Sequence, residues 1–487
     1  MNMIPQLVKT PLRRLLLILS VSGSMAACGS AIVSAGISGT GIVVGVLTGF
    51  GSIFVNGVEY EIDTAQFDID GQRDFANANE AQRLLAVGMV VRLEATDNGD
   101  GTGTAVRVVY DDSVEGPIQT DPEPFNNDPK RLQFTVLGKT IVVDQFETTF
   151  ENSAFEQLAM NQVVEVSGFI DANGSILATR IEGKGDLVPG QTQVELRGAV
   201  ASLSGNQFML GARTIVVDDN TRYEDMQAAD LVDGMQVEVK GTYRNDGSIL
   251  ADRIEGEQDD REEIPSSESE VELQGVVYSF ISASQFFVNG VQVDASGLSQ
   301  TEQSALQDGV ELEIKGHMEN SVLIAEKVEF RGAEAEMKAR IVAADSGSST
   351  VNIDFGNGET RSFGVTAESL LKDDRNSAPS EALTLPRLVT ELNGGNMIDS
   401  SLSIRQQGGE WVVVKLKLKD NLDKYEVEAA IEALDVSAGA VTLFGMSLNL
   451  EGSAVQDLAS LSLSVGDHVE LKDTDKNGDF DQIEVDD

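Results

Sequence analysis

The residues best placed for chemistry lie near the C-terminus, in Asp473-Thr474-Asp475-Lys476-Asn477-Gly478-Asp479-Phe480-Asp481-Gln482-Ile483-Glu484. Side-chain oxygens fall at loop positions 1, 3, 5, 9 and 12 (Asp473, Asp475, Asn477, Asp481, Glu484), Gly478 takes position 6, and Asp479 adds a further acid. That spacing suits Ca²⁺, a hard cation that gathers six to eight oxygens. The flanks differ from an EF-hand: Val469-Glu470-Leu471 and Phe480 to Val485 alternate like strands, so an acidic hairpin tip is the competing reading. Asp97-Asn98-Gly99-Asp100-Gly101 and Asp68-Ile69-Asp70-Gly71 are weaker versions of the same motif. Ca²⁺ is the one cofactor these motifs suggest.

Other chemistry is sparse. His317 and His468 stand apart from any nucleophile motif, and neither a Gly-x-Ser-x-Gly elbow nor a phosphate or dinucleotide loop is present. Carboxylates are too abundant for a glycosidase pair to single itself out. The one Cys excludes an intrachain disulfide and a thiolate zinc site. Trp411, leading into Val412-Val413-Val414, reads as core rather than as a stacking platform. With 80 Asp+Glu against 35 Lys+Arg the net charge is −45, which argues against nucleic acid, whose phosphates must be met by cations. No catalytic residue is therefore expected.

That Cys has an address instead. Lys9, Arg13 and Arg14 precede an apolar run, Leu15 to Leu19, and then small residues, the pattern of a signal peptide over residues 1–27. Met25-Ala26-Ala27-Cys28 resembles a bacterial lipobox, which implies that Cys28 is lipidated after cleavage. Acyl chains anchor a protein by burying methylenes, at about 0.8 kcal/mol each. Gly29 after the Cys, by resemblance to bacterial lipoproteins, implies the outer membrane, facing the periplasm or the cell surface. Residues 28–41, rich in Gly, Ser and Ala, read as a tether.

The elements that must position these residues are repeated. A motif of Leu, two residues, Gly, then alternating aliphatics places its Gly at 88, 234, 309, 395 and 466, and an Asn at 161, a spacing of about 73 residues. Asn161 predicts a left-handed backbone at that position. Each copy opens on a strand around a small residue (Val44-Gly45-Val46, Arg197-Gly198-Ala199, Gln274-Gly275-Val276). A hairpin, often Asn-Gly, follows, then a short helix before the Gly motif and a closing hairpin.

The expected fold class is all-β: a tandem array of about six small OB-like five-stranded β-barrels, each with one short helix. The units run 39–113, 114–186, 193–258, 271–332, 334–420 (irregular, with a polar insertion at Lys372–Glu381) and 424–487. An acidic linker occupies 259–270. Closing each sheet removes exposed edges. Strung linearly, such units would reach on the order of 150 Å.

The Gly-x-Val opening strand and the Asp/Asn-Gly hairpin leading into Ile-Leu-Ala-x-x-Ile (Ile176 to Ile181, Ile249 to Ile254) resemble the bacterial envelope modules classed as domain of unknown function 5666. Residues 193–257 and 114–183 carry the resemblance most closely. It implies a fold and no catalytic residues. The resulting expectation is a non-enzymatic envelope lipoprotein, a modular binding or scaffold protein. Its partners would be the membrane, through the lipid anchor, and an envelope or extracellular protein or polymer. A Ca²⁺-binding adhesion or matrix protein is the alternative, and a carboxylate-based glycan-active enzyme a more distant one.

Overall fold

Unit three shows how the repeat closes. Its barrel strands are Gln193–Ser204, Gln207–Leu210, Arg213–Val216, Gln236–Tyr243 and Ile249–Gly256, and a short strand, Arg222–Glu224, runs parallel to the last of them. The second strand pairs with the first and third, the third runs parallel to the fifth, and the fourth returns to the first. Units one, four and five repeat this cycle, so the strand order is that of an OB barrel. Alternation fills each interior. In unit three Leu196, Val200, Phe208, Leu210, Ile215, Val237, Val239 and Ile254 point inward and are buried. The computed structural model describes residues 40–256, 270–331, 335–375, 383–407, 410–461 and 463–485. The signal peptide, Cys28, residues 257–269, which take in most of the acidic linker, and residues 376–382, which take in the end of the insertion, lie outside the described residues.

The recurring Gly position has a physical cause. Gly88, Asn161, Gly234, Gly309, Gly395 and Gly466 all have positive φ, between 73° and 96°. In five of them the amide donates back to the opening strand or to the residue just after it, to the carbonyls of Leu47, Ile118, Val200, Val277 and Ile431. The backbone must turn left-handed there to hand the chain from the helix to the fourth strand, and Asn is the other residue that tolerates this. The small residue of the opening strand is explained by the hairpin. Asn56 donates to Val44 O, and Asn289 to Gln274 O at 2.7 Å. A Cβ on Gly45 would sit 1.8 Å from Asn56 Oδ1.

Three features depart from the expected pattern. Units one, four, five and six carry helices (Ala78–Gln82, Gln300–Ala305, Leu385–Leu392, Gly452–Ser460), but units two and three have only the 3-10 turns Phe155–Gln157 and Ala228–Asp230. In both, six residues separate the preceding strand from the next buried leucine, Leu158 or Leu231, which leaves room for a single turn. Unit six is split. Tyr425–Ala430, His468–Asp473 and Gln482–Val485 join the sheet of unit five, while Ala433–Asp435, Ala440–Leu443 and Met446–Asn449 form a separate sheet. Its opening strand has 6 residues, against 11 to 13 in units one, three, four and five, too short to bend round and pair with the second strand.

The third departure corrects the linear rod. Opening strands pair across units. Thr40–Phe50 of unit one runs parallel to Glu270–Ser282 of unit four. Val114–Pro117 of unit two pairs with unit three at Glu115 and Glu195. Ala335–Asp345 of unit five pairs with unit six at Glu336 and Glu428. The described residues consequently form one unit rather than separate beads. An opening strand has a free flank on its barrel, and an unpaired flank exposes backbone amides and carbonyls that sheet pairing satisfies.

Candidate functional site

The C-terminal loop is organised by its own backbone. Asp473 is fully buried; its Oδ1 accepts from the amides of Lys476 (2.7 Å) and Asn477 (3.3 Å), and its Oδ2 from Gly478 N (2.8 Å). Asp475 accepts from Asn477, Asn477 Oδ1 accepts from Asp479 N, and Asp481 accepts from the amide and hydroxyl of Thr474. Glu484 pairs with Lys472 on the neighbouring strand. The side chains act as turn formers, and no three of these carboxylates converge on one point. Asp97 and Asp100 likewise accept from nearby amides of their own loop. His317 faces Glu326 at the surface, His468 is exposed, and Trp411 packs edge-on against Phe444 at 5.3 Å.

Carboxylates do converge where units one, two and three meet. The paired sheets of units two and three put Glu182, Glu165, Glu115, Glu195, Lys240 and Arg253 in one cross-strand row. Residues directly opposite share a face, so Glu165, Glu115 and Glu195 are adjacent like charges, an arrangement that destabilises a sheet. Glu165 and Glu195 are buried. Beside the row lie Asp70 and Asp112, both from unit one. Two groups have oxygens within 4.8 Å of one another: Asp70, Asp112 and Glu195, and Asp112, Glu115 and Glu165.

The edges of this cluster are neutralised. Glu165 accepts from Tyr110 OH (2.9 Å) and pairs with Lys184 (2.6 Å). Glu195 pairs with Lys240 and lies 3.5 Å from Arg197. Asp70 Oδ1 accepts from Asp112 N. The centre is different. Asp112 is 2% exposed, and its Oδ1 has no hydrogen-bond partner. Burial drives the carboxyls up: Asp70 to about 6, Glu115 to about 7 and Glu195 to about 8, with Lys240 or Lys184 opposing the rise and neighbouring acids adding to it. Asp112 is pushed well above the usual range by burial and then by Glu195 and Asp70. Asp70 and Glu165 also line a cavity of about 1330 Å³ among units one, two and five.

A second row, at the joint of units five and six, shows the same acids with a cation in place. Glu336, Glu428 and Glu470 are directly opposite one another. Lys130, reaching across from unit two, pairs with Glu428 and with Glu470 at 2.8 Å. Burial pushes Glu470 up, but the hydrogen bonds from Lys130 and Lys472 outweigh it and hold the carboxyl at about 2. Unit five returns the contact: Lys372, Lys415 and Lys417 donate to the backbone carbonyls of Phe150, Glu147, Gln145 and Thr148 in unit two. Lys417 is 1% exposed, and burial holds its pKa well below the ordinary value.

Sequence reading pointed at Asp70 only as part of a short turn and passed over Asp112, Glu115, Glu165 and Glu195. The available signal was a Glu held between aliphatics in the fourth strand of several repeats, as in Val164-Glu165-Val166, Val237-Glu238-Val239 and Leu312-Glu313-Ile314.

Fold and joints define a fused array of OB-type barrels, linked by strand pairing and by ion pairs such as Lys130 with Glu428 and Glu470. The model of the domain of unknown function (DUF5666) matches residues 40–109, 115–182, 197–255 and 274–329, the first four units. The matched segments make up more than half of the chain, and the chain belongs to this family. No curated protein matches it. One similar solved structure is titled drosophila Unr CSD456; it is 12% identical, the match covers 63% of this chain and 98% of that one, and the TM-score is 0.11.

Proposed function

We propose that the protein is a non-enzymatic cell-envelope lipoprotein, tethered to the outer membrane through Cys28, that works as a rigid multi-barrel scaffold for an envelope or extracellular protein or polymer. The observation that carries this reading is the pairing of opening strands between units, which ties the described residues into one body. A continuous sheet and buried ion pairs resist bending far better than a linker does, which suits a part that holds others at fixed separation. Charged groups reinforce these joints, as Lys130 does with Glu428 and Glu470.

The test is mass analysis of the mature N-terminus combined with protease shaving of intact cells. The expected result is diacylglycerol and an acyl chain on Cys28, and a Cys28→Ser variant that leaves the membrane fraction. A mature chain without lipid, or a glycan-hydrolysing activity abolished by one carboxylate substitution, overturns the reading.

A further inference from the structure

The two acid rows differ in their counter-cation. In the row of Glu336, Glu428 and Glu470, the ammonium of Lys130 sits among the carboxylates. In the row of Glu165, Glu115 and Glu195, Lys184 and Lys240 hold the two ends, while over the middle stands another acid, Asp112. Neither ammonium reaches ion-pair distance of Asp112 or Glu115 among the described residues, and the Arg197 guanidinium, which pairs with Asp111 and Glu195, only partly offsets the burial of Asp112. A buried carboxylate oxygen without a hydrogen-bond partner is costly, and three adjacent like charges in register add to that cost. Asp112 nevertheless offers an oxygen to both converging groups.

We propose that the junction of units one, two and three binds one Ca²⁺ ion, with Asp112 as its central ligand and Asp70, Glu115, Glu165 and Glu195 around it. Five carboxylates supply at least five oxygens, and two-oxygen contacts from one or more of them reach the six to eight that Ca²⁺ takes. Ca²⁺ suits an irregular cage assembled from three units better than Mg²⁺, which demands near-octahedral geometry and retains its waters. The ion does for this joint what Lys130 does for the other, and the cavity lined by Asp70, Glu165 and Lys184 gives it access. The site is distinct from the C-terminal loop, whose Asp473 is already taken by three amides. It also does not depend on the lipid anchor.

The experiment uses the full chain, dialysed against EDTA, and titrates CaCl₂ by calorimetry and by thermal unfolding, with MgCl₂ in parallel. One ion per chain is expected, with a Ca²⁺-dependent rise in melting temperature and at least tenfold weaker Mg²⁺ binding. Asp112→Asn, isosteric and uncharged, weakens Ca²⁺ binding at least tenfold, yet in EDTA melts no lower than the wild type because it removes an unpaired buried charge. Glu115→Gln gives the same loss of binding and serves if Asp112→Asn does not fold, while Asp473→Asn keeps the site. Absence of heat at millimolar Ca²⁺ overturns the proposal and leaves shared protons holding the cluster. Binding that survives both Asp112→Asn and Glu115→Gln, or that disappears in Asp473→Asn, overturns it equally.

Discussion

Lys130→Met is the most direct probe of how the units are held together. Lys130 leaves unit two and places its amine between Glu428 and Glu470, with side-chain exposures of 16%, 20% and 12%. Methionine keeps the length and apolar stem of the side chain and removes only the charge. Breaking a buried pair by removing one partner costs about 3–5 kcal/mol. Lys472 stays on Glu470 at 2.7 Å and some solvent reaches the group, so about 2 kcal/mol is the expected loss. Trp411 is the single tryptophan and packs on Phe444 across units five and six, so its fluorescence reports on this region. With a urea dependence of about 2 kcal/mol per molar, the midpoint falls by about 1 M. The pH profile sharpens the test. Glu470 is held at about 2 against an ordinary 4.5, so its contribution is complete above pH 4.5 and is lost as pH falls toward 2. The gap between wild type and Lys130→Met therefore closes over that window. Equal midpoints at pH 7, or a gap still undiminished near pH 2, would refute the reasoning.

Three further outcomes are expected. Gly45→Ala destabilises unit one by about 1–3 kcal/mol, since its Cβ would press on Asn56 Oδ1, and Asn56→Ala restores part of that loss in the double variant, as read by thermal unfolding. Asn161→Ala costs about 1–2 kcal/mol because φ is 73° there, whereas Asn161→Gly is tolerated, and denaturant titration of the two variants separates them. Asp473→Ala lowers the melting temperature in EDTA as much as in Ca²⁺, because the lost partners are the amides of Lys476, Asn477 and Gly478 rather than a metal.

Local signals were legible because local physics makes them. Asn161 in place of Gly announced a positive φ, Asn56-Gly57 and Asn289-Gly290 announced hairpins, and alternating aliphatics announced barrel interiors. The acidic loop at 473–484 was legible as a loop, but spacing cannot tell a carboxylate that awaits a cation from one that accepts its own turn's amides. The acid cluster was illegible for a different reason. Asp70, Asp112, Glu115, Glu165 and Glu195 come from three repeats, and within each repeat a lone outward Glu on a strand is unremarkable.

The sequence by itself determined the repeat, the barrel that each copy closes into and the excess of negative charge. The charge is composition alone, and the repeat and its barrel follow from hydrogen bonds and burial within about 73 residues, where side-chain period and turn chemistry suffice. Tertiary structure decided the rest: that the array folds back on itself, that Thr40–Phe50 pairs with Glu270–Ser282 and not with its sequence neighbour, and that Lys130 completes one acid row while Asp112 crowns another. Which flank of one barrel meets which flank of another depends on the match of whole surfaces, and no single stretch of chain carries that information.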